Sequence, residues 1–359
     1  MSFRIGIIGC GAIGNVHADT AHASGLEVAG TWDLIPDRVS SIAERFPGCT
    51  AHASVDALLA SDIDAVAVAV SNRCHRECAV AALEAGKHVL LEKPMATTVA
   101  ECDEIIAAHA ASDRVLQLGL VCRGAPVSLA VKRYIDAGRF GRIYHAKCAF
   151  YRRRGIPGLG GWFTTKAESG GGPLIDLGVH VLDLAMYLTG SDRPTRASGH
   201  AVACFGSPIA DYKFTSMWSG PPKLEGVFDV EDGAVALVRF ADGMTLELNV
   251  TWAANLPEGT HPNGITLLGE KAGCHFDVFG DRLDIATEDE GMIADITPYY
   301  ADDRNNKTVA WMNQYRQFIE AVDEGTTPHA DGAAGRRVQS VIDAIYRSSE
   351  AGCEVEVEA

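Results

Sequence analysis

Apolar and polar positions follow a regular pattern over the first 120 residues. Short, mostly apolar runs at residues 5–8, 26–32, 65–70, 88–91 and 115–120 suit strands that are buried on both faces. Stretches with helical spacing separate them, and Gly86 ends one of these stretches as a helix C-terminal glycine would. Because strands and helices alternate, the pattern predicts an α/β domain with a doubly wound parallel sheet.

The pattern changes after residue 123. A helix at 126–137, a strand at 143–151, a Gly-rich loop at 155–172 and a helix at 175–188 are expected first. Alternating strands follow at 196–205, 233–240, 244–252, 265–268 and 282–286, and two helices close the chain at 309–323 and 332–349. The stretch 212–222 has no clear period and suits either a lid or an arm to a neighbouring subunit. We therefore expect two domains, 1–123 and 124–359, the second of α+β type with a large, mostly antiparallel sheet.

Length and charge narrow the class of protein. A chain of 359 residues exceeds one ordinary core, which agrees with two domains. The net charge of −16 would repel nucleic acids and anionic lipids, so neither is an expected partner. No apolar run reaches the roughly 20 residues that span a bilayer. The N-terminus enters a strand pattern without the long apolar core of a signal peptide, which predicts a cytoplasmic protein.

The ten cysteines are scattered through apolar segments and none forms Cys-x-x-Cys. This spacing predicts buried free thiols and no metal site.

A glycine motif follows the first predicted strand. It runs Gly9-Cys10-Gly11-Ala12-Ile13-Gly14 and opens a helix within a strand–helix–strand unit, which is the setting of a Rossmann dinucleotide site. The glycines allow a tight turn and a close approach of pyrophosphate, and the helix N-terminus supplies amide donors. Asp33 ends the second strand, where a carboxylate accepts ribose hydroxyls and repels a 2′-phosphate. This favours NAD over NADP, although Arg38 nearby could soften the preference.

Two further segments carry candidate catalytic groups. Glu92 and Lys93 follow the fourth apolar strand, where side chains face the ligand crevice of such a sheet, so both are candidate cofactor contacts. A lysine there can also stabilise an alkoxide, which makes Lys93 a catalytic candidate. Asp176 and His180 lie four residues apart and share one face of a helix, where the histidine suits a proton acceptor. Each also has a structural interpretation: a surface lysine before a turn, and a core histidine with an N-cap aspartate.

Polar and aromatic side chains around these segments are candidates for substrate contacts. Cations and aromatic rings can hold carboxylates, polyol oxygens and sugar rings. The alternative is a solvated charge run with a packed aromatic ring. The candidates are Arg123, Tyr151, Arg152, Arg154, Trp162 and Lys166.

Taken together, the glycine motif, the segment 82–94 ending in Glu92-Lys93-Pro94, and Asp176-x-Gly178-x-His180 resemble the glucose–fructose oxidoreductase / inositol dehydrogenase / rhizopine-catabolism (Gfo/Idh/MocA) family. The resemblance implies a Rossmann domain followed by a domain whose open sheet mediates homodimers or homotetramers. It assigns catalysis to Lys93, Asp176 and His180, and the loop over the nicotinamide to Ser71, Asn72 and His75. Val70-Ser71 departs from the Thr-Pro of many members.

The function implied is an NAD(P)-dependent dehydrogenase that oxidises a secondary hydroxyl of a sugar, cyclitol or sugar derivative. Two alternatives remain. Some relatives keep NAD bound and cleave glycosides through transient oxidation, and a non-enzymatic relative could serve as a sugar-sensing regulatory protein. The complete set of Lys93, Asp176 and His180 argues against a pure sensor, which needs no acid/base pair.

Overall fold

The computed structural model describes residues 3–215, 219–257, 260, 263–299 and 306–358. The chain forms two compact units: Met1–Leu120 with Trp311–Arg336, and Val121–Ala310 with Arg337–Ala359. The expected domains 1–123 and 124–359 differ from this grouping because Trp311–Arg336 belongs to the first unit. Tyr315 and Phe318 pack in the core of the first unit with Ile5 and Ile7, a contact across 300 residues that helical spacing cannot reveal.

The first unit contains the predicted parallel sheet. Its six strands follow the order β3-β2-β1-β4-β5-β6, and every pair is parallel. The direction of winding reverses between β1 and β4, where doubly wound sheets bind their ligands at the carboxyl ends of the strands. The strands are β1 (Arg4–Ile8), β2 (Glu27–Trp32), β3 (Thr50–Ala51), β4 (Ala65–Val68), β5 (His88–Leu91) and β6 (Leu116–Leu118).

Helices connect these strands as the sequence predicts, except that neither β3 nor the five-residue helix Val55–Leu59 was expected. The capping box of Thr98 and Glu101 explains why the fifth helix begins where it does, because each side chain accepts from the other residue's backbone N–H. The helices are α1 (Ala12–Ala23), α2 (Pro36–Ala43), α3 (Val55–Leu59), α4 (His75–Glu84) and α5 (Val99–Ala110).

The second unit contains a nine-stranded sheet in the order β14-β13-β12-β11-β7-β10-β9-β8-β15. Only the pair of β7 and β10 is parallel among these strands, so the expected mostly antiparallel sheet is confirmed. The strands are β7 (Ile143–Tyr151), β8 (Pro194–Val202), β9 (Gly233–Phe240), β10 (Thr245–Thr251), β11 (Gly264–Gly269), β12 (Ala272–Phe276), β13 (Leu283–Asp289), β14 (Met292–Ile296) and β15 (Val355–Glu356).

Sequence periodicity missed β12 and β14. Gly273 interrupts the apolar pattern of β12, and β14 lies at the sheet edge, where Met292 and Ile293 are exposed and no alternation develops. The remaining helices are α6 (Pro126–Asp136), α7 (Lys166–Ser169), α8 (Val179–Thr189), α9 (Asn306–Glu324) and α10 (Gly332–Ala351). The stretch 212–222 includes residues 216–218, which lie outside the described residues.

None of the ten cysteines forms a disulfide. Six of them are buried as predicted, but Cys204 and Cys353 are exposed, because both lie beyond the ends of regular strands and helices. Within the part of the chain that the structure describes, no helix is long and apolar enough to cross a membrane.

Candidate functional site

The glycine motif forms the turn between β1 and α1. Gly9 has φ +94°, and a Cβ atom there would lie 2.5 Å from the Ala69 carbonyl oxygen. A Cβ atom at Gly14 would lie 1.8 Å from the Gly9 carbonyl oxygen. The space beside Gly11 is open, since the nearest atom is Arg38 Nη1 at 3.9 Å. The first and third glycines therefore close the turn, and the second leaves room for a ligand at the amide end of α1.

Asp33 lies directly after β2, beside this turn. Its Oδ2 accepts from the Cys10 N–H at 2.7 Å, and its Oδ1 accepts from the Ile35 N–H at 2.8 Å. The two main-chain bonds fix the carboxylate next to the glycine motif, as the predicted ribose contact requires.

The loop after β4 is joined to the loop after β5 by His75. This side chain is 1% exposed, with Nδ1 2.7 Å from the Pro94 carbonyl oxygen and Nε2 3.3 Å from the Val70 carbonyl oxygen. Burial lowers the pKa of His75 and favours its neutral ring. A neutral ring has one N–H, and the shorter distance assigns it to Nδ1 and the Pro94 carbonyl. The ring that we expected beside a cofactor thus lies between these two loops and donates to the second. Asn72, also buried, begins the 3₁₀ turn Asn72–Cys74 that leads into α4.

Glu92 is buried directly before the half-buried Lys93. Its Oε2 accepts from the Lys93 N–H at 3.1 Å, and its Oε1 lies 3.1 Å from His17 Nε2. His17 Nδ1 in turn lies 2.9 Å from the Tyr315 hydroxyl. The sequence did not predict this series of hydrogen-bonded side chains. The signal that could have found it is a histidine beside Ala18 and Ala21 on the buried side of α1.

In the second unit, Asp176 and His180 occupy one continuous helical segment, as their spacing predicts. Residues Leu174–Gly178 form a π-helical turn that runs directly into α8. π-helical turns occur frequently at functional sites. Asp176 is 6% exposed, and its Oδ2 accepts from Trp252 Nε1 at 2.9 Å. His180 is half-buried, and its Nδ1 lies 3.6 Å from the Cys122 thiol.

A second carboxylate anchors the start of this segment. Glu231 accepts from the N–H groups of Gly172 and Leu174, at 2.9 and 3.1 Å, and from the Tyr346 hydroxyl at 2.8 Å. Burial raises the pKa of Glu231, and these three donors oppose that shift. A carboxylate at the amide end of a helix is favourable. Glu231 and Tyr346 therefore hold the segment that carries Asp176 and His180.

Arg123, a predicted substrate contact, is buried and forms an ion pair. Its Nε and Nη2 donate to the two carboxylate oxygens of Asp183 at 2.8 and 2.5 Å, and its guanidinium lies 4.6 Å from the centre of the Tyr187 ring. Asp183 is 1% exposed and belongs to α8. The contact thus ties the turn Val121–Gly124 to the helix that carries His180.

Among the other predicted substrate residues, Arg152 lies beside the candidate catalytic carboxylate Asp176. Its Nη1 is 4.0 Å from Asp176 Oδ2. Arg154 donates to the carbonyl oxygens of Arg153 and Ala254, each at 2.9 Å. Its side chain therefore connects two loop segments.

The last three candidates have partners within the second unit. Trp162 stacks on Phe163 with ring centres 3.8 Å apart. The Tyr151 N–H donates to Asn263 Oδ1 at 2.6 Å, and the N–H of Lys166, the first residue of α7, donates to Asp229 Oδ1 at 2.6 Å.

Comparison with known proteins identifies both units. The family described as "Oxidoreductase family, NAD-binding Rossmann fold" matches residues 3–120, and "GFO/IDH/MocA C-terminal domain" matches residues 128–275. D-glucoside 3-dehydrogenase of Escherichia coli (strain K12) is 30% identical over 99% of this chain and 97% of that protein. Inositol 2-dehydrogenase 2 of Saccharopolyspora erythraea is 33% identical over 60% of this chain and 62% of that protein.

The solved structure of levoglucosan dehydrogenase in complex with NADH has the same fold, with a TM-score of 0.84 at 23% identity over 100% of both chains. The matched family descriptions account for well over half of the residues. The chain therefore belongs to the Gfo/Idh/MocA family of oxidoreductases, whose N-terminal domain is an NAD-binding Rossmann fold.

Proposed function

We propose that this protein is an NAD-dependent dehydrogenase that oxidises a secondary hydroxyl of a sugar, a cyclitol or a related polyol. One observation carries the proposal: Asp176 and His180 lie in one helical segment whose position is fixed by the buried groups Trp252 and Glu231. Relatives named for D-glucoside and inositol support a polyhydroxylated ring as substrate.

The first unit fits a nicotinamide dinucleotide. The open space beside Gly11 and the amide end of α1 suit the pyrophosphate, and the anchored Asp33 suits the ribose hydroxyls. The glycine motif through Ala12 and Ile13, with Ser71 and Asn72, completes the set that would hold it. When bound, NAD supplies the hydride acceptor. Because the carboxylate of Asp33 repels a 2′-phosphate, we expect NAD to be preferred, and Arg38 to allow weak use of NADP.

The side chains of this protein accept the substrate proton, stabilise the charge on the oxygen and orient the substrate. In oxidation, His180 accepts the proton of the substrate hydroxyl while the carbinol carbon loses hydride. The ammonium group of Lys93 stabilises the negative charge that develops on the oxygen. Asp176, held by Trp252, orients the substrate by accepting a hydrogen bond from a neighbouring hydroxyl, and we expect Arg152 to contact a further substrate oxygen.

The test is NADH absorbance with the purified protein and a panel of inositols, aldoses, glycosides and sugar acids, repeated with NADP. We expect one substrate group to generate NADH, and NADP to support a much lower rate. Glycoside cleavage without net NADH would favour the alternative with tightly held cofactor. If NAD binds but no compound of the panel generates NADH or is cleaved, the regulatory alternative is favoured.

Replacement of the reacting lysine separates chemistry from cofactor binding. Lys93→Met should lower kcat by about 10²–10³-fold, the loss expected for one preorganised group that stabilises an oxyanion. NAD affinity should stay close to that of the wild type. Lys271→Met, on the exposed β11–β12 turn, is the matched control. Equal losses of NAD binding and kcat in Lys93→Met would contradict the assignment.

We also propose that residues 124–359 provide the substrate contacts and the oligomer interface, as a homodimer or homotetramer. The sheet of the second unit supports this, since Tyr144 and Val235 are large apolar side chains left 44% and 47% exposed on its strands. Light scattering of the purified protein would show a mass at or above twice 38.2 kDa, whereas a monomer would exclude this assembly.

A further inference from the structure

Lys93 lies in a short loop whose neighbours on both sides are held by buried histidines. Before it, the Glu92 carboxylate contacts His17 of α1. After it, the Pro94 carbonyl contacts His75 of α4. His17 is 0% exposed and His75 is 1% exposed, so neither is placed to meet a solvent-borne ligand.

The contact on the Glu92 side has a defined direction. A carboxylate only accepts, so His17 Nε2 donates to Glu92 Oε1 across 3.1 Å. Burial raises the pKa of Tyr315 well above its usual value, so its hydroxyl keeps its proton, and this hydroxyl lies 2.9 Å from His17 Nδ1. Trp311 packs edge-on against that ring at 5.1 Å. The imidazole thus has a partner at each nitrogen and packs against an aromatic ring.

The other oxygen of Glu92 acts on the lysine itself. Oε2 accepts from the Lys93 N–H at 3.1 Å, so the side chain of Glu92 bridges His17 and the backbone of Lys93. Space is tight here, because a Cβ atom at Gly119 would lie 2.6 Å from Glu92 Oε1. A carboxylate held by a ring donor, a backbone donor and close packing has one available position.

The contact on the Pro94 side completes the arrangement. His75 Nδ1 lies 2.7 Å from the Pro94 carbonyl oxygen, a length typical of a hydrogen bond that the ring donates. Since His75 begins α4 and His17 lies within α1, the backbone around Lys93 is attached to two different helices.

We propose that His17, Glu92 and His75 are positioning residues for Lys93: they fix the backbone on its two sides and thereby set where its ammonium group lies in the reaction. This inference rests on the proposed function and extends it to buried groups that act through the lysine. Misplacement of a reacting group by about 1 Å can cost about 10²-fold in rate. The loss should therefore appear in kcat, with KM for the sugar and the Kd of NAD nearly unchanged.

The experiment compares three substitutions in the full-length protein. His17→Leu removes the donor to Glu92 and should lower kcat by about 10²-fold. His17→Gln keeps an N–H donor in the same region and should recover most of that loss. His22→Leu, at an exposed position on the same helix, is the matched control and should behave as wild type. Circular dichroism and NAD titration check that each variant folds and binds cofactor.

A double variant tests whether His17 acts through the lysine. In a Lys93→Met background, His17→Leu should cause little further loss, because residues that act as a unit are strongly non-additive. An equal loss in both backgrounds, or a wild-type kcat in His17→Leu, would overturn the proposal.

A readout without turnover keeps this test separate from the proposed function. Competitive acetylation of lysines, quantified by mass spectrometry, compares Lys93 with the exposed Lys271 in each protein. We expect His17→Leu to change the labelling rate of Lys93 alone, and His17→Gln to restore it. Unchanged labelling would refute positioning even if the wild-type protein were active, while changed labelling in a protein silent across the sugar panel would refute only the proposed function.

Discussion

The ion pair of Arg123 and Asp183 gives the sharpest stability prediction. The two side chains are 7% and 2% exposed, and two N–H···O bonds join them. Removing one partner of a buried pair leaves an uncompensated charge and costs about 3–5 kcal/mol. Asp183→Asn keeps one acceptor oxygen and the shape of the side chain, so we expect about 3 kcal/mol, near the lower end of that range. Urea denaturation followed by circular dichroism measures the loss.

Two further variants decide whether charge burial is the cause. The ion pair of Arg142 and Glu270 is exposed, with 62% and 52% of the two side chains accessible to solvent. Glu270→Gln breaks this pair and should lower the free energy of unfolding by less than about 1 kcal/mol. The double replacement Arg123→Met with Asp183→Leu leaves no unpaired charge, so it should recover much of the stability lost in Asp183→Asn. A loss in Asp183→Asn no larger than in Glu270→Gln would refute the reasoning.

Three other outcomes follow from the contacts described above. Gly14→Ala should abolish NAD binding in a fluorescence titration and destabilise the fold, since its Cβ would lie 1.8 Å from a carbonyl oxygen, whereas Gly11→Ala should weaken binding and leave the melting temperature nearly unchanged. Because burial lowers the pKa of His75 from its ordinary value of 6.5, its unfolded form takes up a proton that the folded form resists, so stability should fall as the pH drops below about 6.5, by at most about 1.4 kcal/mol per pH unit. His75→Asn should show a shallower decline in urea denaturation at pH 7 and pH 5. Trp252→Phe removes a hydrogen bond of 2.9 Å to the buried Asp176 carboxylate, worth about 1.5–3 kcal/mol, and should lower kcat/KM for the sugar with NAD affinity retained; an unchanged kcat/KM would argue against an orienting role for this carboxylate.

Local sequence signals predicted the elements and the motifs well. Apart from the exposed two-residue β3, the strands of the parallel sheet are short apolar runs, because both faces are covered, and segments with helical spacing separate them. The glycine motif and the pair Asp176 and His180 are also local, since turn geometry and the spacing of a helix determine which residues lie together.

The partners that hold the site could not be predicted, because they are distant in the chain. Trp252 is 76 residues from Asp176, and Tyr315 is 298 residues from His17. In the sequence, nothing distinguishes Glu231 from the acidic residues expected at the surface. The fold brings its carboxylate to the start of the helical segment that carries Asp176. For the same reason the charge of Arg123 suggested a ligand contact, although its carboxylate partner lies 60 residues away within the protein.

The single parallel pair in the large sheet has a consequence for how the chain folds during synthesis. Strand β7 lies between β10 and β11, and His145 on β7 faces Thr245, 100 residues later. The ribosome therefore completes β7 and α8, which contact each other through Cys148 and Val181, long before either neighbouring strand exists. Both edges of β7 stay unpaired in that interval, and unpaired strand edges favour aggregation. Nascent chains that end before β11 should thus require chaperones, whereas longer chains should become resistant to proteases in a single late step.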